Sequence, residues 1–578
     1  MDKKRKNAKQ GKEFIRTFYQ NNKLCYCITL LAVIGQAILD ILLAYLLQEV
    51  IDIAVSGGNK DLVHMLMVTV VYIVSLVVVL LIVRQGKSSF MRKAMRQYKG
   101  YVFEKITKKS IGSFNDESTS KYISALTNDA ITIEQNYLYS SFTIASRSVW
   151  FVAGLGMMFW YNWSMTLVVI GLCLIPMLVS ILFGGKLVEQ DKIISENNET
   201  FVGMIKDLLT GFTVIKSFKA EKEVLTLFDD HNGDLENSKY RRRRVEELIS
   251  IVTATSGFIV QMGIFFYGTM LAVKGDITVG VVLAFVQLMN YILTPLNDVP
   301  RCIINRRAAI GLIDKMAEAV TVNTSREGRS IEHKLEDCIE VEHLNFGYNN
   351  DELILQDVNV TFESGKSYAI VGGSGSGKTT LLNLLLGSFT EYEGKITFDG
   401  EELRGISTDS LYDIISIIQQ NVFVFDNSIR DNITMFKDFE EDTIQSAIER
   451  AGLTNLIEER GHDYNCGENG SGLSGGERQR ISIARCLLRN TPVLMMDEAT
   501  AALDAATAFS VTNAILDIEN LTRIIVTHRL EEPLLRKYDE IIVMKNGYLA
   551  EKGTFDELIH KKGFFYSLYM VTNSLVNE

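Results

Sequence analysis

From Gly372 to Thr379 the chain reads Gly-Gly-Ser-Gly-Ser-Gly-Lys-Thr, with a second threonine, Thr380, next in line. This is the G-x-x-x-x-G-K-[ST] spacing. It has the context that the chemistry needs, because an apolar run (Tyr368 to Val371) leads in and a leucine-rich helical pattern leads out. Gly372, Gly373, Gly375 and Gly377, with Ser374 and Ser376 between them, let the backbone curl until successive N–H groups point at one phosphate chain. Lys378 adds a point charge for the β- and γ-phosphates, and the Thr379 hydroxyl can ligate Mg²⁺.

Other residue types suited to phosphate chemistry follow in a fixed order. Tyr348, in Phe346-Gly347-Tyr348, offers a ring that can stack on a base. Gln420 follows the apolar run Ile414–Ile418 and can reach a metal ion or a water. Leu473-Ser474-Gly475-Gly476-Glu477 opens a strongly helical stretch, where exposed N–H groups and the positive end of the helix dipole favour an anion. Val493–Met496 is an apolar strand that ends in Asp497-Glu498; one carboxylate can hold Mg²⁺ and the next can polarise an attacking water. Asp504 comes shortly after. The strand Arg523–Val526 ends at Thr527-His528, where a histidine can contact a terminal phosphate.

These residues need a scaffold. From Cys338 onward short β-branched runs alternate with helical patterns, which predicts an α/β domain with a largely parallel sheet over 338–578. The polar, aperiodic stretch 321–337 reads as a linker. The 320 residues before it are of another kind: the chain is 47% hydrophobic and only 22% charged, which points to a part that sits in lipid. A net charge of −11 argues against a nucleic-acid partner. Seven scattered cysteines show neither a disulfide framework nor a zinc spacing.

Six apolar stretches are long enough for the roughly 20 residues that cross a bilayer core: 24–53, 62–84, 137–160, 164–183, 249–273 and 277–296. The first is too long for the apolar core of a signal peptide and is expected to be retained. Lysines and arginines crowd the N-terminal tail, residues 92–96 and residues 239–244, which places the tail and the two long connections in the cytosol. Trp160, Tyr161 and Trp163 mark an outer interface. The long connections, 85–136 and 184–247, carry helical periodicity and predict spans that continue as helices beyond the membrane, about 75 Å for fifty residues. They are expected to turn back at Ser113–Ser118 and Gly211–Ser217. Polar groups inside the spans are Asp40, Arg147, Gln261, Gln287 and Asn290. They line a cavity for cargo, with Asp40 or Arg147 meeting a charged cargo, or they hold the bundle, through an Asp40–Arg147 ion pair or through interhelical hydrogen bonds.

Taken in order and spacing, these motifs resemble a half-size ATP-binding-cassette (ABC) transporter of the exporter fold, and the resemblance covers nearly the whole chain. It implies an all-α transmembrane domain of six helices followed by an α/β P-loop nucleotide-binding domain. On that resemblance Tyr348 is the A-loop aromatic, Gly372–Thr380 Walker A and Gln420 the Q-loop residue. Leu473–Glu477 is the signature, Asp497 the Walker B aspartate, Glu498 the catalytic glutamate, Asp504 the D-loop residue and His528 the switch histidine. Ala501 departs from the serine common in the family. Gly467–Gly470 resembles the X-loop, which supports Ser113–Ser118 and Gly211–Ser217 as coupling helices. ATP and Mg²⁺ are the implied ligands, with Thr379, Gln420 and Asp497 around the metal. A second half-transporter chain is the implied partner. An identical one is favoured because Glu498, His528 and Leu473–Glu477 are all intact, and a heterodimer is the alternative. The expected setting is a bacterial cell membrane, and the expected cargo a drug, lipid or peptide carried outward. Import of siderophores or metal chelates, and gating of a channel, are the other activities known in that family.

Overall fold

The computed structural model describes residues 2–56, 59–111, 114, 119–321, 328–348, 353–420, 422–500 and 503–574, with 2–10, 59–61, 120, 176–185, 188, 321 and 573–574 described by backbone alone. The chain divides into two compact units, one of residues 1–105 and 120–321 and another of 106–119 and 322–578.

The first unit is helical: α1 (Asp2–Tyr19), α2 (Lys23–Ser56), α3 (Asn59–Thr107), α4 (Ser140–Tyr161), α5 (Trp163–Thr210), α6 (Phe212–Ser217), α7 (Glu221–Lys274) and α8 (Val279–Thr321). Among the described residues five stretches are long and apolar enough to cross a membrane: Lys23–Ser56, Leu62–Thr107, Lys121–Tyr161, Glu221–Lys274 and Val279–Val320. The expected span 164–183 lies within α5, whose described apolar part, Trp163–Ile175, is shorter. The long helices expose apolar side chains such as Leu66, Val71 and Leu81, as lipid-facing surfaces do. Inside, Met158, Met165, Val260, Ile264, Phe285 and Leu288 form a core between α4, α5, α7 and α8.

One polar knot ties the helix ends together. Asp52 on α2 accepts from Gly280 N at 2.9 Å and from Thr278 Oγ1 at 2.7 Å, so it caps α8 from a neighbouring helix. Gln48 donates to Asp52 at 3.1 Å and accepts from the Tyr161 hydroxyl at 2.7 Å, which adds the end of α4. The predicted extensions are present: α5 has 48 residues and α7 has 54, joined through the short α6. The second predicted turn, Gly211–Ser217, is thus a helix of its own. The first, Ser113–Ser118, lies outside the described residues except Phe114.

The second unit has two sheets rather than one. A six-stranded sheet runs β10-β9-β3-β8-β7-β6, with β3 (Ser367–Gly372), β6 (Ile415–Ile418), β7 (Val493–Asp497), β8 (Thr522–Val526), β9 (Glu540–Lys545) and β10 (Tyr548–Gly553). All its pairings are parallel except β10 with β9. A four-stranded antiparallel sheet, β2-β1-β4-β5, uses β1 (Cys338–Phe346), β2 (Leu355–Glu363), β4 (Glu393–Phe398) and β5 (Glu401–Glu402). Strand alternation separates two cores: Ala369 and Val371 of β3 face one, Tyr368 and Ile370 the other. Because β3 is buried on both faces, Tyr368–Val371 within it is an unbroken apolar run. Residues 328–337, expected as linker, are tied to this unit by Arg329, whose N–H donates to Gly405 O at 2.8 Å and whose carbonyl accepts from Ser407 N at 2.9 Å.

Candidate active site

The parallel strands β3, β7 and β8 lie side by side, so the loops at their C-terminal ends open on one edge of the sheet. The loop after β3 curls into α9 (Lys378–Leu385). Gly377, the residue before that helix, has φ +97° and ψ 4°, and a Cβ there would meet Leu355 Cδ2 at 2.6 Å. Only glycine fits both the left-handed backbone and the close approach. A Cβ on Gly372 would meet the Met544 carbonyl oxygen at 2.3 Å.

Lys378 is buried, and its Nζ donates to Gly372 O at 3.0 Å and Gly373 O at 2.9 Å, inside its own loop. Burial pulls its pKa down, against the opposing pull of Glu498 and Asp497. Thr379 Oγ1 donates to Asp497 Oδ1 at 3.2 Å, so the loop hydroxyl and the strand-end carboxylate form one oxygen pair. Burial raises the Asp497 pKa and the Glu498 charge adds to that, while Thr379, Lys378 and His528 act the other way.

Glu498, one residue past β7, sits at φ +49°, a left-handed conformation that costs a glutamate about 1 kcal/mol or more. Its amide donates to Val526 O at 3.1 Å, which fixes the turn against β8. The turn aims the carboxylate at two partners. Oε1 lies 2.7 Å from His528 Nε2, and Oε2 accepts from Gln420 Nε2 at 3.0 Å. A cleft of about 730 Å³ is lined by Ser374, Gly375, Ser376, Gly377, Lys378, Thr379, Thr380, Gln420, Glu498 and His528. Leu353, Ile354, Gln356 and Asn546 complete it, and none of these four stood out in the sequence because each is an ordinary residue on a neighbouring strand end or turn.

Tyr348 stands at the rim. It is 53% exposed, edge-on to Phe346 and Phe389, and its hydroxyl lies 3.2 Å from Thr380 Oγ1. The Leu473–Glu477 segment does not line this cleft. Ser474 instead caps α10 (Gly475–Arg489), in a capping box with Glu477, and leaves Gly475 and Gly476 in the first turn. Asp504 caps α11 (Ala505–Leu516) through Thr507 N at 2.9 Å, which holds its carboxyl below the usual range. Ala501 lies outside the described residues.

Two arginines brace these loops, and nothing in the sequence singled them out. Arg529 Nη2 donates to Leu503 O at 2.9 Å and so holds the loop before Asp504. Arg485 on α10 donates to Phe423 O at 2.7 Å, to Asn432 O at 2.5 Å and to Asn432 Oδ1 at 2.8 Å. That arginine also borders a groove of about 510 Å³ lined by Ile111, Tyr412, Phe423 and Phe425. Ile111, which precedes the first predicted turn, thus belongs to the second unit.

In the helical unit Asp40 and Arg147 do not pair with each other; each makes its own contact to another helix. Arg147 Nε pairs with Asp298 Oδ2 at 3.0 Å, and its guanidinium lies 3.9 Å from the Trp150 ring centre. Asp40 Oδ2 accepts from Trp150 Nε1 at 3.2 Å, and Tyr291 donates to the Asp40 carbonyl at 2.6 Å. Trp150 thus stands between the two charges. Gln287 Nε2 meets Tyr291 OH at 3.5 Å, Gln261 is half-buried and Asn290 is exposed.

A membrane-spanning helical unit joined to a P-loop domain with a carboxylate, a histidine and a glutamine at the phosphate loop defines a class of membrane ATP-binding protein. Family models agree: "ABC transporter transmembrane region" matches residues 26–296, and "ABC transporter" matches 355–501. The chain belongs to the ABC transporter family, as a half-size member of the exporter fold. A putative multidrug export ATP-binding/permease protein of Staphylococcus aureus is 30% identical over 80% of this chain and 81% of its own. The ATP-dependent lipid A-core flippase of Desulfotalea psychrophila is 29% identical over 97% and 99%. An uncharacterized ABC transporter ATP-binding protein of Bacillus subtilis is 28% identical over 98% and 95%. Among solved structures, a bacterial Atm1-family ABC exporter with ATP bound superposes with a TM-score of 0.84 at 21% identity, covering 95% of this chain and 98% of that one.

Proposed function

We propose that this chain is one half of an ATP-driven membrane exporter, acting as a homodimer, whose cargo is a drug, lipid or peptide. The observation that carries the reading is the placement of Glu498 between His528 and Gln420 at the mouth of an intact phosphate loop. ATP is the substrate. Lys378 and the loop amides hold its phosphates, and Tyr348 with Phe389 offers an aromatic edge to its base. The paired oxygens of Thr379 and Asp497, with the Gln420 side chain nearby, are the hard donor set that suits Mg²⁺. When bound, Mg²⁺ supplies charge neutralisation at the phosphates.

Glu498 orients and polarises the attacking water, and His528 keeps the carboxylate aimed. Leu473, Ser474, Gly475, Gly476 and Glu477 stand apart from the cleft of their own chain, so they serve the cleft of a second copy, with Asp504 at the seam. Two sites then form only when two chains close, and closure is favoured by the contacts that the substrate makes across the seam. The tip between α5 and α7 supports the same pairing: Phe212, Val214 and Phe218 are 56%, 60% and 80% exposed there, an apolar face for the second chain's nucleotide-binding domain. With this domain and the N-terminal tail on the cytosolic side, opening and closing tilts the spans and moves cargo outward. The relatives named for multidrug export and lipid A-core flipping favour that direction.

The test is Glu498→Gln in the full chain, reconstituted in nanodiscs. ATP binding is expected to persist while phosphate release and cargo movement stop; near-normal turnover would sink the assignment.

A further inference from the structure

The turn between α1 and α2 faces the cytosolic part of α3 across two adjoining cavities of about 820 and 600 Å³, which share Thr17, Gln20, Asn21 and Tyr101. Arg16 and Lys23 line one, Lys93 and Arg96 the other. All four are exposed, and among the described residues none has a carboxylate within ion-pair distance. The acids in the lining are Glu13 and Glu104, so four cations meet two anions. The turn itself is fixed. Asn22 is buried and donates to Phe90 O at 3.1 Å, and Phe18 stacks on Tyr98 at 5.0 Å. The same packing keeps the two cation-lined cavities adjoining.

Directly beyond Lys23, α2 presents Leu24, Ile28 and Leu31, exposed at 75%, 51% and 68%. The spacing i, i+4, i+7 puts them on one stripe. A cationic cleft that opens onto an apolar helix stripe matches an amphiphile with an anionic head. The other basic run, residues 241–244, is a poorer match, because Arg242 is already bonded to Asp191 and Glu246 and Arg244 lies over the Tyr240 ring.

We propose that this cleft is a binding site for an anionic phospholipid of the cytosol-facing leaflet, with the headgroup phosphate among Arg16, Lys23, Lys93 and Arg96 and one acyl chain along Leu24, Ile28 and Leu31. The site shares no lining residue with the nucleotide cleft. It anchors the α1–α2 corner to the membrane surface.

The experiment counts lipids retained by the full-length protein, purified in detergent with phosphatidylglycerol or phosphatidylcholine, by native mass spectrometry. Phosphatidylglycerol is expected to stay bound in preference to phosphatidylcholine. Each cation near an anionic headgroup strengthens its hold, so Lys93→Glu with Arg96→Glu should cut its retention at least about tenfold. Lys23→Gln should lower it less, Lys93→Arg should preserve it, and Arg241→Glu with Arg243→Glu should leave it unchanged. Added inorganic phosphate should not displace the lipid. Equal retention by the Lys93→Glu/Arg96→Glu protein overturns the proposal, as does displacement by inorganic phosphate, which would show a simple anion site.

Discussion

Glu498 Oε1 lies 2.7 Å from His528 Nε2 while Oε2 takes a 3.0 Å hydrogen bond from Gln420, so both oxygens of one carboxylate are engaged across three separate loops. The carboxylate reaches that position through a left-handed backbone at φ +49°, strain that its bond to Val526 O helps to hold. Two side chains that converge on one acid form a device for aiming it, and the consequences of removing the acid or either support differ.

Glu498→Gln keeps the shape and the hydrogen-bonding reach but loses the base. Hydrolysis should fall by about 10²–10⁴-fold with ATP affinity retained. His528→Ala and Gln420→Ala each leave one support. Both should lower kcat by less than Glu498→Gln does, and their double variant should lose less than the product of the two separate losses, since both act through the same carboxylate. Steady-state phosphate release, with ATP binding measured separately, checks all four proteins.

Asp497 gives a prediction about pH. Its folded-state pKa is raised, chiefly by burial. Between the unfolded and the raised folded value the native state holds more protons than the unfolded state, so stability falls as pH rises through that window, and the full penalty remains above it. At neutral pH the nucleotide-free Asp497→Asn protein should therefore melt at a higher temperature than the wild type. The difference should vanish once the pH is below the ordinary aspartate range. With Mg²⁺ and ATP present the order should reverse, because the carboxylate is then needed. Thermal melts across pH, with and without nucleotide, read this directly.

Gly377→Ala tests the loop itself. The residue lies at φ +97°, and a Cβ would stand 2.6 Å from Leu355 Cδ2. The left-handed backbone alone should cost about 1 kcal/mol or more, and the displaced loop should weaken ATP binding at least tenfold. Lys378→Ala, which leaves the backbone alone, should weaken ATP binding without that loss of stability. An equilibrium binding assay beside a thermal melt separates the two.

The phosphate loop and its partners were legible because each is a short string whose geometry is local. Gly377 needs its backbone angles and Asp497 needs its strand, and both are dictated by immediate neighbours. Arg147 was different. Depth along a span is readable from residue counting, but azimuth around the helix and the approach of a distant helix are not, so Asp298, 151 residues away, went unseen. Asp40 has Trp150 as its partner for the same reason. The antiparallel sheet β2-β1-β4-β5 also escaped, because short β-branched runs look alike whichever way they pair. Arg529 and Arg485 escaped because they act through backbone carbonyls, which every residue has.

Arg147 and Asp298 are 23% and 39% exposed, so solvent screening limits the worth of their contact. A double-mutant cycle with Arg147→Gln and Asp298→Asn should give a coupling of about 1 kcal/mol in thermal stability. Arg147 with Asp40→Asn should show much less. Cargo-stimulated ATP hydrolysis in the same variants decides whether the arginine also faces the transport path. A normal response in Arg147→Gln would leave it a structural residue only.

The strongest consequence of the separated signature concerns pairs of chains. If Ser474 serves the phosphate loop of a second copy, Lys378→Ala and Ser474→Arg damage different halves of each site. Either variant alone builds two damaged sites per dimer and should hydrolyse ATP at a few per cent of normal or less. A mixed dimer concentrates both lesions in one site. The other site then combines the sound loop of the Ser474→Arg chain with the sound signature of the Lys378→Ala chain. Co-expressed with two affinity tags and purified through both, the mixed dimer should hydrolyse ATP well above either parent. Were each chain to complete its own site, mixing two inactive chains would restore nothing, so the rate of the doubly tagged dimer decides between the arrangements.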